Sequence, residues 1–247
     1  MSDLHLLRRA EDLQRRSSEQ NIVTHTGFLS PTEQHAIQTL PHLRQGLFFH
    51  GGGADCERRI AFFLPDYLTP EDFDPAEYIT AFRIRCRFGA PGHRDVLGSL
   101  LGLGLERWTL GDIHAAGETA RFYCLPSIAA HIARELTHIG RNGVQVTEIP
   151  PGEMPVPERQ RETIAFTVSS LRLDAVLAGT FNLSRTAAAA HIAAGLVQVN
   201  YTPCLKPAAE LTPGDVFSLR GSGKAMLAEV GGKSRKDRTR IRVERYL

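Results

Sequence analysis

The apolar positions of the chain change rhythm three times, and each rhythm predicts different elements. Residues 3–19 repeat Leu4, Leu7, Ala10 and Leu13 among charged positions, which predicts a helix turning these four toward a core. Ser30-Pro31-Thr32-Glu33 supplies a capping hydroxyl, a proline at the first helical position and a glutamate at the third, a strong helix start. Short apolar runs at 47–50 and 60–64 read as strands around His50-Gly51-Gly52-Gly53. Three glycines could let a phosphate approach the backbone. No lysine–hydroxyl pair follows them and no G-x-G-x-x-G is present, so they read as a tight turn. Pro65, Pro70 and Pro75 then punctuate a linker.

The second rhythm begins with alternation. Phe82, Ile84, Cys86 and Phe88 fall on one face of a strand over 78–88, and Arg83, Arg85 and Arg87 on the other. Residues 93–104 have helical spacing despite Gly98 and Gly102, which lower propensity and point to close backbone packing. Residues 111–115 and 119–124 form a hairpin around Gly117. Pro126 opens a helix with Ile128, Ile132, Leu136 and Ile139 inward, and 144–149 is a last strand. The order β-α-β-β-α-β predicts a ferredoxin-like, RRM-like domain. Its first and third strands would be neighbours, so Arg83, Arg85, Arg87, Arg121 and Tyr123 would share the face without helices. RNA-recognition motifs use that face, but with a glycine-rich aromatic signature absent here. A solvated basic face and an RNA contact both stay open.

The third rhythm follows the stiff stretch Pro150-Pro151-Gly152-Glu153-Met154-Pro155-Val156-Pro157. Ile164, Phe166 and Val168 lead as a strand into Arg172. Arg172, Leu173, Asp174, Val176 and Leu177 give a turn and a half of helix ended by Gly179. Ser184 caps a second helix from Arg185, which keeps Ile192 on its apolar side and stops at Gly195. Val197 and Val199 alternate with Gln198 and Asn200 as a half-buried strand, and Thr212-Pro213-Gly214-Asp215 turns the chain into another at 216–219. Near the C-terminus Ile241 and Val243 alternate with Arg238, Arg240 and Arg242. The fold class is therefore α+β: an N-terminal domain over 1–72, a ferredoxin-like domain over 77–149, a proline-rich linker over 150–160, and a basic C-terminal domain over 161–247.

Charge sharpens this division. Of 29 Lys/Arg and 27 Asp/Glu, residues 160–247 hold thirteen basic against seven acidic, and all lysines (206, 224, 233 and 236) lie there. A basic module on a mildly acidic body points to a polyanionic partner for the C-terminal part. No apolar stretch approaches the ~18 residues of a membrane span, and the polar N-terminus is no signal peptide, so a cytoplasmic protein without a membrane partner is expected. Cys56, Cys86, Cys124 and Cys204 are far apart and form no metal spacing. They read as reduced, mostly buried thiols, with no metal and no cofactor expected.

The candidate chemistry lies at the start of the second C-terminal helix. Free N–H groups and the helix dipole favour an anion there; Ser184 and Arg185 add a hydroxyl and a guanidinium, and Arg172 and Lys206 could flank the same spot. One such residue alone would read as a cap or a solvated charge. The set in this order reads as a site for phosphates, not for covalent chemistry. Arg220, Lys224, Lys233, Arg235, Lys236, Arg238 and Arg240 extend the basic surface toward the C-terminus.

Arg172-Leu173-Asp174, Ser184-Arg185, Ile192, Gly195, Val197, Val199-Asn200, Lys206-Pro207 and Gly214-Asp215-Val216 together resemble the S4 RNA-binding domain, of the αL type. Tyr201 stands where many S4 domains have glycine, so a type I′ turn at Asn200-Tyr201 is not expected and a route through Pro203 is. His93-Arg94-Asp95-Val96-Leu97-Gly98, Gly102-Leu103-Gly104-Leu105 and Gly111-Asp112-Ile113 add a second resemblance, to YlmH-type S4 proteins. Phe28-Leu29-Ser30-Pro31, Glu57-Arg58 and Arg220-Gly221-Ser222-Gly223-Lys224 fit that family as well. The resemblance implies a non-catalytic binder of rRNA on the large ribosomal subunit, at its subunit-interface side, on complexes carrying a peptidyl-tRNA. It implies tRNA and other quality-control factors as further partners, in ribosome-associated quality control. Relatives in photosynthetic organisms imply a second setting, photosystem assembly. It extends the candidate RNA contacts to Asn200 and, in the middle domain, to His93 and Arg94. A monomer is expected. The competing class is an RNA-modifying enzyme, a pseudouridine synthase or methyltransferase, with an S4 accessory domain. Against it, Asp174 sits in the S4 helix, where helix-terminus charge and pairing with a neighbouring arginine account for it. No nucleophile–base pair or adenosylmethionine loop is evident.

Overall fold

The structure is a computed structural model describing residues 3–53, 56–153, 161–234 and 236–246; Arg235 and residues 154–160 of the expected linker lie outside the described residues. The chain divides into two compact units, Met1–Pro157 and Glu158–Leu247.

The first unit opens with α1 (Asp3–Gln20), β1 (Thr24–Leu29) and α2 (Pro31–Gln38), then β2 (Leu47–His50) and β3 (Arg59–Phe63). The buried stripe of α1 is Leu6, Ala10 and Ser17, not the expected row from Leu4, which is 62% exposed. Leu6 and Ala10 meet Leu29, Ile37, Leu43, Ala61 and Phe63, while Leu7 and Leu13 lie at the edge of that core. The Ser17 hydroxyl donates to the Phe63 carbonyl at 2.8 Å, which lets a polar residue close the stripe. α2 starts as expected: Ser30 Oγ accepts from Glu33 N, and the Glu33 carboxylate accepts from Ser30 N at 2.7 Å. β1 escapes the apolar pattern because Thr24 and Thr26 are buried within it. Their hydroxyls donate to the Leu13 and Gly27 carbonyls, and Thr26 Oγ1 accepts from Ala61 N. The three strands form an antiparallel sheet in the order β1-β3-β2.

The unit continues with β4 (Thr80–Cys86), α3 (His93–Gly102), β5 (Leu110–Ala116), β6 (Thr119–Cys124), α4 (Pro126–Glu135), β7 (His138–Ile139) and β8 (Asn142–Ile149). The strand order β5-β6-β4-β8-β7 is the ferredoxin-like arrangement with one short strand added at the edge. α3 and α4 cover one face, where Val96, Leu100, Ile132 and Leu136 bury Phe82, Ile84 and Phe122. The opposite face is not bare. Phe28, Ile60 and Phe62 pack on Ala81, Tyr123 and Ile149, so residues 1–72 and 77–149 share a core. Leu68, Phe73 and Tyr78, from the proline-punctuated stretch, pack on the same core instead of spanning a gap. The ring of Tyr123 fills the space left by Gly52, where a Cβ would stand 2.4 Å from its Cε1. Two expectations fail: β4 ends at Cys86, leaving Phe88 70% exposed, and Gly98 and Gly102 face open space with nothing within 4 Å.

The second unit is an antiparallel six-stranded sheet, β11-β10-β12-β13-β14-β9, with two helices on one face. Its elements are β9 (Arg161–Val168), α5 (Leu173–Thr180), α6 (Arg185–Ala193), β10 (Val197–Val199), β11 (Thr202–Pro203), β12 (Val216–Leu219), β13 (Gly223–Lys233) and β14 (Thr239–Tyr246). Val176, Leu177, Ala188 and Ile192 of the helices bury Val197, Phe217, Leu227, Ile241 and Val243 of the sheet. Gly179 does not end α5. It lies inside the helix, where a Cβ would stand 2.1 Å from Phe166 Cε2. The expected detour after Asn200 is also absent. Val199 pairs directly with Thr202, and Asn200 and Tyr201 both have positive φ, 47° and 65°, the signs of a type I′ hairpin. The Asn200 amide makes this possible: Nδ2 donates to Asp215 at 2.7 Å and Oδ1 accepts from Val216 N at 3.0 Å.

The two glycine environments predict opposite outcomes in chemical denaturation. Gly179→Ala must displace Phe166 and should lose about 1–3 kcal/mol. Gly98→Ala, in an exposed helix interior with open space, should gain about 0.5–1 kcal/mol.

Candidate nucleic-acid interface

The carboxylate of Asp174 is the centre of the site. Its side chain is only 7% exposed, in the first turn of α5. It accepts from Arg172 Nε at 3.2 Å and Nη2 at 3.0 Å, and from Arg185 Nη2 at 2.9 and 2.8 Å. Arg172 is the N-cap position of α5 and Arg185 the first residue of α6, so one buried acid ties the starts of both helices together. Hydrogen bonds from Arg172 and then Arg185 hold the Asp174 carboxyl below the usual range, against its burial. The guanidinium groups keep 39% and 53% of their side-chain surface exposed. One negative charge against two positive leaves the cluster cationic, with its unused N–H donors facing solvent.

The loop after β11 closes over this cluster. Leu173 N donates to Ala209 O at 2.7 Å and Asp174 N to Pro207 O at 3.0 Å, so loop carbonyls satisfy the first amides of α5. Lys206 begins that loop and is exposed, with no ion pair among the described residues. At α6, Ser184 Oγ accepts from Ala187 N at 3.1 Å, while the first N–H groups of Arg185 and Thr186 have no acceptor within the helix. Arg172, Ser184, Arg185 and Lys206 thus gather around two helix starts.

The other basic residues are more scattered. Lys224 lies over the rings of Tyr246 at 4.8 Å and Tyr201 at 5.9 Å, and Arg161 covers Tyr246 at 5.2 Å. Lys233 pairs with Asp237 at 2.6 Å, and Arg238 donates to Thr167 Oγ1 and its carbonyl, tying β14 to β9. Arg220, Lys236 and Arg240 are exposed and without ion pairs among the described residues. Asn200 is committed to its turn at both ends of the amide.

In the first unit, register places Arg83 beside Arg121, and Arg121 beside His114. Arg121 Nε is buried and has no hydrogen-bond partner among the described residues. Arg85 is exposed on the same face, and Arg87 follows the strand with its guanidinium 5.7 Å from the Phe88 ring. His93 and Arg94 are exposed in the first turn of α3, where Asp95 accepts from Gly92 N at 3.2 Å. Tyr123 is different: at 2% exposure, under β1 and β3, it has no face for a base, and burial pushes its phenol pKa up. Asp112 shows what the Gly111-Asp112 pair does, its carboxylate accepting from Glu57 N at 2.6 Å and Arg58 N at 3.0 Å. Among the described residues no cluster could hold a metal ion, and no helix is long and apolar enough to cross a membrane.

Residues 70–153 match the family described as "Putative RNA-binding domain in YlmH", and residues 171–217 match the S4 domain. The chain is 35% identical over 223 residues to "Ribosome-associated protein quality control protein P2" of Bacillus subtilis (strain 168), covering 89% of this chain and 86% of that protein. The chain belongs to the YlmH family. The fold is also similar to that of "Cell division protein ylmH from Streptococcus pneumoniae", with a TM-score of 0.51 at 24% identity, over 61% of this chain and 93% of that one. Within this YlmH-family chain the match to the S4 domain spans α5, α6 and the Lys206 loop. The Tyr201–Lys224–Tyr246–Arg161 stack was not foreseen. Lys224 lies within 223–233, which mixes Met226, Leu227 and Val230 with glycine, alanine and charge and shows no clear strand alternation.

Asp174→Asn should lower the stability of the second unit by about 1–3 kcal/mol in urea denaturation, since the arginines lose their acceptor while remaining solvated. A depressed carboxyl stabilises the fold fully above its unfolded pKa of about 4 and loses that contribution as pH falls through the folded value. The gap between wild type and Asp174→Asn should therefore be widest near neutral pH and close in strong acid.

Proposed function

We propose that this YlmH-family chain is a non-catalytic binder of structured ribosomal RNA on the large ribosomal subunit, acting in the cytoplasm. The observation that carries the reading is the Arg172–Asp174–Arg185 cluster: two half-exposed guanidinium groups, held by one buried acid beside two helix starts, with Lys206 on the adjoining loop. Guanidinium forks on a rigid base match phosphate oxygens in geometry and charge. Arg220, Lys236 and Arg240 supply further positive charge without an ion pair among the described residues, and Lys224, Lys233 and Arg238 add charge already held in place by rings, Asp237 or Thr167. Asp174 has both oxygens occupied by arginine, which favours a structural role over that of a catalytic acid or base.

Similarity to a protein named for ribosome-associated quality control supports the setting. In this reading the chain, as a monomer, steadies a peptidyl-tRNA complex on the large subunit while other factors deliver aminoacyl-tRNA. In the first unit, the Arg83–Arg121 neighbours, Arg85 and the His93–Arg94 turn form a second contact for rRNA or tRNA. Arg83 and Arg121 stand directly across from each other on neighbouring strands, so one phosphate would meet both guanidinium groups.

Lys206→Ala is the cleanest probe, because among the described residues the Lys206 side chain makes no hydrogen bond or ion pair, whereas Arg185→Ala also removes half of the Asp174 support. Lys206→Ala should keep the thermal midpoint, weaken rRNA binding and lower the salt slope by about one. With five or six phosphates engaged, wild-type affinity should fall on the order of 10³-fold between 50 and 200 mM salt. In gradient fractionation of lysate, the chain should sediment with large subunits at low salt and leave them at high salt. Sedimentation only at the top of the gradient at low salt would sink the proposal.

A further inference from the structure

A cavity of about 450 Å³ in the first unit lies between α1, β1, the start of α2 and the turn before β5. That size is within the ~300–1,000 Å³ of small-ligand sites. Its floor contains two partly buried arginines with no carboxylate partner among the described residues. Arg58 donates to the carbonyls of Leu110 at 2.9 Å, Phe28 at 2.7 Å and Arg107 at 3.1 Å. Arg107 donates to the carbonyls of Leu110 at 2.7 Å and Gly111 at 3.3 Å. Carbonyl acceptors orient a guanidinium without a direct ion pair, and the Glu33 and Asp112 carboxylates act on the Arg58 charge only through space. Burial, with the Arg58 charge beside it, pushes the Arg107 pKa down to about 10, so Arg107 remains cationic at neutral pH. Arg9 of α1 adds a third cation at the rim.

The wall beside them is aromatic and fixed. Trp108 is 39% exposed, and its indole N–H donates to the Glu106 carboxylate. Its ring lies so close to β1 that a Cβ on Gly27 would stand 2.4 Å from Trp108 Cε3. The two carboxylates of the lining are engaged locally, Glu106 by the indole and Glu33 by Ser30 N and Oγ at 2.7 and 2.8 Å. The cavity therefore offers a flat π-surface, guanidinium groups with no direct ion pair among the described residues, and carboxylate acceptors within one enclosure. A nucleobase stacks on the first and can donate exocyclic amines to the third, while a phosphate suits the second.

We infer that this cavity is a nucleotide site, with the base against Trp108 and the phosphate toward Arg9, Arg58 and Arg107. The nucleotide is either free or an unstacked residue of a bound RNA. The site is separate from the S4 cluster and does not depend on the function proposed for it. Trp108 is the single tryptophan of the chain, so its fluorescence reports on this cavity alone. The full-length chain would be titrated with ribonucleoside monophosphates and, separately, with short single-stranded RNA, using free tryptophan to correct for absorption. Saturable quenching by a mononucleotide identifies a free nucleotide as ligand; saturable quenching by RNA alone identifies a residue within RNA. In either case Arg9→Glu, a reversal at an exposed position that leaves the fold intact, should weaken the response about tenfold or more. No saturable change with either ligand, or an Arg9→Glu titration equal to wild type, would overturn the assignment.

Discussion

A single buried carboxylate organises the two helix starts of the second unit. Asp174 lies where burial alone would favour its neutral form, and Arg172 and Arg185 hold it charged instead. Each guanidinium is in turn fixed at the mouth of a helix by the same acid. A buried charge left without its partners is costly, so the two helix starts cannot drift apart without exposing or stranding Asp174. The cluster converts a requirement of folding into a surface of fixed positive charge. The acid leaves the net charge of the cluster positive and sets where that charge points.

The two units solve the same packing problem in different ways. The second covers one face of its sheet with helices, and the opposite face carries the ladder of Lys224, Tyr246 and Arg161. The first covers the helix-free face of its ferredoxin-like sheet in part with β1 and β3. Burial there takes Tyr123 and leaves Arg83, Arg85 and Arg121 with at least partial exposure. That division decides which side chains of the face stay open to solvent. An aromatic in the right register for base stacking becomes core because another layer sits on it.

Much of this was legible in the chain. Capping residues Ser30 and Ser184, the alternation of Phe82, Ile84 and Cys86, and the strand order of the ferredoxin-like sheet follow from local chemistry and period. The S4 positions were readable because their spacing is specific. What was hidden depends on partners distant in sequence. β1 buries threonines whose hydroxyls find carbonyls elsewhere, and Gly179 is needed only because Phe166 arrives from another strand. The positive φ of Tyr201 is tolerated because Asn200 is clamped by Asp215 and Val216, a constraint that no dipeptide rule contains. The partners of each candidate cation were equally invisible, and they divide the basic residues into those held by the fold and those open to solvent.

The loop that carries Lys206 has a second duty, because its Pro207 and Ala209 carbonyls close the first amides of α5. Occupancy of the site and integrity of the helix start are therefore one equilibrium seen from two sides. Opening the loop frees the amides of Leu173 and Asp174 to exchange with solvent, and an anion bridging Lys206 to Arg172 opposes that opening. An anion bound at this corner would thus register in the backbone itself, as slowed exchange at two amides already closed by loop carbonyls.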